Sequence, residues 1–173
     1  MPDFRNLVRE HESPLQKLLD LIPGFAGYRE KEVRRRADQL LRDHLAGLLD
    51  GEKAKLQRRQ AELSRARKLE ELGALDRAIG LMQKVRDRIR YADYGYAGWF
   101  DTPHVNENQL DDMYEYDLAM REKVGLVQER VRAAAGAEGE ELQAALAGLT
   151  EVLTQLDEMI DKRGEIIAKL VEE

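Results

Sequence analysis

Apolar residues return along most of this chain in steps of three and four, the spacing of one face of an α-helix. The first such stripe is Leu15, Leu18, Leu19 and Ile22. Ser13-Pro14 opens it with a capping hydroxyl and a proline at a position that needs no donor, and Pro23-Gly24 closes it. Phe4, Leu7, Val8 and His11 hint at a further turn or two before it. Residues 1–27 therefore read as an arm with one short amphipathic helix. From Tyr28 the stripe lengthens through Val33, Ala37, Leu40, Leu41, His44, Leu45, Leu48 and Leu49. It thins to Leu56, Ala61 and Leu63, then resumes at Leu69, Leu72, Leu75, Ile79, Met82, Val85 and Ile89. No proline lies in 24–102, yet one helix over 28–92 would span about 98 Å. A turn at Ser64–Lys68 is preferred to one at Asp50-Gly51 or Gly73, because it gives two arms of similar length.

A second pair follows. Leu110, Met113, Tyr114, Asp117, Met120, Val124, Val127 and Val131 share a face, and Gly136 to Gly139 break the helix. Leu142, Leu146, Leu149, Leu153, Leu156, Ile160, Arg163, Ile167 and Leu170 then alternate in fours and threes, a coiled-coil-like seam. The predicted fold is all-α: two long antiparallel helical hairpins, 28–92 and 108–173, forming a four-helix bundle or an extended coiled-coil-like assembly. A connecting loop, 93–107, joins them, and 28–173 reads as one domain behind the arm.

Composition agrees with this. Of 173 residues 36% are charged, and only four are proline. No apolar run approaches the roughly 18 residues of a membrane span. The opening MPDFRNLVREHE has no basic stretch followed by an apolar one, so no secretory signal is expected. Cysteine is absent, which removes disulfides and thiolate chemistry and makes the cytoplasm the simplest expectation.

Net charge changes the picture more. The overall −6 conceals 21 Lys and Arg against 15 Asp and Glu in residues 1–90, and 7 against 19 in residues 91–173. The basic clusters Arg29–Arg36 and Lys84–Arg90 would lie at the same end of the hairpin pair as Asp111, Asp112, Glu115 and Asp117. Mutual neutralisation inside the fold is the expected outcome, ahead of a basic surface for an anionic partner.

Little material for catalysis is present. Two serines, three histidines and no cysteine supply no nucleophile–base pair, and no phosphate-binding loop occurs. The residues three before His11, His44 and His104 are Val8, Leu41 and Asp101, so the Glu-x-x-His spacing of di-iron bundles fails. No enzyme activity, cofactor or metal is expected. His44, among leucines, reads as a hydrogen-bonded core histidine. Asp117 and Arg163 interrupt apolar seams and must be paired, as register-setting contacts. Arg163 should fall near Asp112 and Glu115; Asp117 should meet Arg34, Arg86 or a tyrosine hydroxyl.

Half of the ten aromatic residues lie in Tyr91–Phe100, with Gly95 and Gly98 among them. Two uses fit: a plug over the open end of the bundle, helped by Phe25 and Tyr28, or an anchor for a partner. The functional expectation is a helical interaction or scaffold protein that self-associates or binds a protein. Tyr94, Tyr96, Trp99 and Phe100 are the partner-binding candidates, with Arg34, Arg35 and Arg36 as a basic patch. Two other classes are weighed below it. A peripheral membrane protein would use the arm, whose polar face is barely cationic. A carboxylate-rich metal-binding helical-bundle enzyme would use a carboxylate-only site or one at Asp101 and His104. Nucleic-acid binding is disfavoured by the net negative charge and the acids interleaved with the basic run.

Overall fold

A computed structural model of the chain describes residues 12–92, 96–102 and 104–172, with the backbone alone for Tyr96 and Ala97. Its regular elements are all helices: α1 (Pro14–Leu21), α2 (Lys31–Arg65), α3 (Leu69–Arg90), α4 (Tyr96–Asp101), α5 (Glu107–Gly136) and α6 (Gly139–Glu172). No strand occurs among the described residues. None of the helices is long and apolar enough to cross a membrane.

Local chemistry sets the ends. The Gln16 N–H donates to Ser13 Oγ at 3.2 Å, and Pro14 occupies the first turn of α1. The break between α2 and α3 spans Ala66 to Lys68, with Arg67 in the left-handed region at φ 58°. Asn106 and Gln109 form a reciprocal capping box that starts α5. Gly139, at φ 56°, accommodates the turn into α6.

The long helices α2, α3, α6 and α5 each pack on two others, α2 on α3 and α5, and α6 on α3 and α5. α1 lies on α5, and α4 bridges α2 and α6. One continuous apolar core results, from Ile22, Tyr28 and Trp99 at one end to Leu63, Ala134 and Leu142 at the other. The arm's stripe is spent within the chain: Leu18 and Ile22 are buried, and Leu15 and Leu19 pack against the core.

Two expectations need correcting. The segment 93–107 is more than a loop, since Tyr96–Asp101 coil into the short helix α4. The charge complementarity is also placed elsewhere. Lys84 Nζ meets Asp157 at 2.9 Å, and Arg88 meets Asp157 at 2.5 Å and also Asp161, so α6 neutralises these two, while Arg86 and Arg90 meet Asp50 of α2 at 3.3 and 3.1 Å. At the far end Lys68 meets Glu138 at 2.8 Å. Asp111, Asp112 and Glu115 take part in no ion pair among the described residues. All three are exposed on α5.

Candidate functional site

Two features stand out at the end where α2 and α5 begin: a sealed polar node and an open groove. The node starts from the turn after α1. Gly24 and Gly27 adopt φ +81° and +78°, and the chain then delivers Tyr28 into the core, fully buried. The Tyr28 N–H donates to the Tyr114 hydroxyl at 2.8 Å. Its ring stacks on Tyr114, with centroids 5.5 Å apart, and meets Phe25 and Trp99 edge-on. Its hydroxyl donates to Asp117 Oδ2 at 2.5 Å.

Asp117 also accepts from Arg163, Nε to Oδ1 at 2.7 Å. The same guanidinium reaches α2, where Nη2 donates to Asp38 Oδ1 at 2.8 Å. Asp38 in turn accepts from Arg42 Nε at 2.8 Å, and Arg42 Nη1 donates to the Arg90 carbonyl at 2.7 Å. Two carboxylates thus face two guanidiniums, with a phenol completing the set. Asp38 and Asp117 are fully buried and Arg163 is 3% exposed. Charges this deep are tolerable only when paired and hydrogen-bonded. Burial, reinforced by the Asp117 charge, pushes the Tyr28 hydroxyl well above the usual tyrosine value. Burial also raises Asp117, against the opposing pull of Arg163. The space beside Arg42 and Arg163 measures about 10 Å³, the limit for one water and too small for a substrate.

Asp117 therefore finds the anticipated tyrosine hydroxyl but neither Arg34 nor Arg86, and Arg163 finds Asp117 and Asp38 in place of Asp112 and Glu115. Asp38 is the partner that sequence reading missed. The run Arg34-Arg35-Arg36 is divided. Arg34 is 2% exposed and is no part of a surface patch; it donates to the carbonyls of Tyr28 and Thr102, both at 2.6 Å, and lies over the Trp99 ring. Burial lowers its pKa. Arg35 and Arg36 are exposed, with Arg35 4.5 Å from the Phe100 ring centre.

Trp99 and Phe100 are buried, at 0% and 5% exposure, so they offer no surface to a partner in this conformation. Their place over Tyr28 and Arg34 is that of a plug. Trp99 Nε1 has no hydrogen-bond partner among the described residues. Tyr94 lies outside the described residues, and the Tyr96 side chain does too. His44 is half-buried, not a satisfied core residue: its Nε2 is shielded without a partner among the described residues. Burial, aided by the charge of Arg121, lowers its pKa.

Outside the node, α5 and α6 leave a groove of about 530 Å³. Tyr116, Ala119, Ile166 and Leu170 give it an apolar floor, and Asp112 and Glu115 stand at its margin. The Tyr116 hydroxyl donates inward to the Met159 carbonyl at 2.9 Å; burial and then the charge of Glu165 raise its pKa to about 12. A second groove of about 500 Å³, lined by Arg29, Arg34 and His104 among others, shares Gln109 and Leu170 with the first. No group of three or more His, Asp and Glu side chains among the described residues could hold a metal ion. Compared with family models, curated proteins and solved structures, the chain has no match.

Proposed function

We propose that this chain is a non-catalytic helical interaction protein that binds a protein partner, a second copy included, at the end where α4 lies. The four long helices are taken as two antiparallel hairpins in one bundle. Contacts between α2 and α3 support this, because 42 meets 90, 50 meets 86 and 60 meets 76, one number rising as the other falls. Between α5 and α6 the same trend runs through 116 with 159 and 123 with 155.

The observation that carries the binding reading is the contrast between node and groove. The charges of the node pair with one another. The groove keeps an apolar floor in contact with solvent beside carboxylates that enter no ion pair among the described residues, the composition of a docking surface. The aromatic segment then serves the site from beside it, by tying the start of α2 to the end of α6.

Ala119→Trp tests the reading, because it fills the groove from a half-buried helical position without touching the node. Helicity and melting temperature should stay near wild type, while proteins cross-linked to the chain in an extract of its source cells should disappear. An unchanged cross-linked set from a folded variant would overturn the proposal.

A further inference from the structure

We infer that the partner seated on the acidic margin of the α5–α6 groove is the basic start of α2 in a second copy of this chain, an assignment that rests on the interaction reading above. Two sets of charges at one end of the molecule enter no ion pair among the described residues. Lys31, Arg35 and Arg36 are exposed at the start of α2 and enter no ion pair among the described residues. Asp111, Asp112 and Glu115 are exposed at the start of α5 and enter none either. Arg29 and Glu107 meet at 3.5 Å, which fixes the two starts side by side, yet both are mostly in water.

The reason the two sets do not meet within one chain is geometric. Where α2 and α5 begin, the buried side chains of Tyr28, Trp99, Tyr114 and Arg34 pack on one another. The basic set faces outward beside α4, where Arg35 covers Phe100, while Asp112 and Glu115 face the groove towards α6. Opposite charges that share an end but not a face can pair between molecules. Because each copy carries both sets at the same end, two copies related by a two-fold axis would form the contact twice and close on themselves. A two-fold pairing makes a dimer, not a filament.

The chemistry of the contact follows from the side chains. Arg35 and Arg36 would lay their aliphatic stems over Tyr116 and Ile166 and their guanidiniums against Asp112 and Glu115. Glu30 and Glu32 flank the basic set and weaken it, and Lys169 lies within the groove lining, so the association is modest and salt-sensitive.

Sedimentation velocity on the full chain tests this. The wild type should be dimeric at low ionic strength and shift towards monomer as salt is added. Arg35→Glu with Arg36→Glu, and separately Asp112→Lys with Glu115→Lys, should each raise the dimer dissociation constant about tenfold or more at unchanged helicity. Mixing the two reversed variants should restore a dimer containing one of each. Should the lysine pair fail to fold, Asp112→Asn with Glu115→Gln weakens the same contact more gently. A wild type that stays monomeric at low salt, a dimer unaffected by either reversal, or reversed variants that do not combine would each overturn the inference. A monomeric wild type leaves the Ala119→Trp cross-linking result to decide the wider interaction reading, so the two failures are separable.

Discussion

Arg163 on α6 donates to Asp117 on α5 across 2.7 Å, with both side chains almost wholly removed from water. A buried pair of this kind is weak as a source of stability but severe when broken, because the survivor keeps its desolvation cost. Asp117→Leu alone should therefore cost about 3–5 kcal/mol in urea unfolding. Arg163→Leu and Tyr28→Phe, added to it, should recover part of that loss, since no donor to Asp117 is stranded and Asp38 retains Arg42 at 2.8 Å, although its Oδ1 loses Arg163. If the triple variant is no more stable than Asp117→Leu, the node holds the core together by more than charge pairing.

Gly27 and Gly24 share a left-handed backbone but not their surroundings. Alanine at either position should cost roughly 1–2 kcal/mol for the conformation itself. A Cβ on Gly27 would fall 2.8 Å from the Tyr114 hydroxyl, the acceptor for Tyr28 N–H, whereas the nearest atom to one on Gly24 is 3.6 Å away. Thermal melts should rank Gly27→Ala clearly below Gly24→Ala. Equal losses would mean that Tyr114 yields without strain.

Trp99, the single tryptophan, reports on the plug directly. Its native fluorescence should be blue-shifted and poorly quenched by iodide, because the ring is fully buried. Trp99→Ala should cost about 3–5 kcal/mol. A variant as stable as the wild type, or an easily quenched native ring, would contradict the packing of α4 over Tyr28.

His44 gives the pH dependence a sign. Burial and Arg121 hold its folded pKa below the ordinary 6.5, so the unfolded chain takes up a proton before the folded one does. The contribution is fully present above about 6.5 and is lost as pH falls from there towards the lowered folded value. The stability of the wild type relative to His44→Gln should therefore fall as the pH is taken from about 7.5 to about 5. A constant difference over that range would place His44 in a wetter site.

Much of the helical framework was legible because its signal is periodic. The α6 stripe from Leu142 to Leu170 is buried at each of its nine positions, Arg163 among them, since one seam faces both neighbouring helices. The break between α2 and α3 falls inside Ser64–Lys68, where the apolar stripe is thinnest. Arg34 was obscured by its company. Successive helical residues turn by about 100°, so Arg34 shares a stripe with Ala37, Asp38 and Leu41 while Arg35 and Arg36 point out. Asp38 was hidden for another reason: an acid in an exposed-looking run reveals its burial only through a partner 125 residues away. Gly98 looked like a loop residue. Its Cβ would lie 2.8 Å from Val171 Cγ1, so the missing side chain lets α4 approach α6, a requirement set by tertiary contact alone.

The way charge is shared in the node bears on how the chain folds. Asp38 and Arg42 are one helical turn apart on α2, and Asp117 and Arg163 belong to the α5–α6 half. Each half of the chain thus carries a neutral pair of its own. Docking adds the Arg163–Asp38 and Tyr28–Asp117 links between pairs already balanced, so no lone charge has to wait in a forming core. Contact between the two halves therefore avoids the desolvation penalty that a single ion pair split between them would impose.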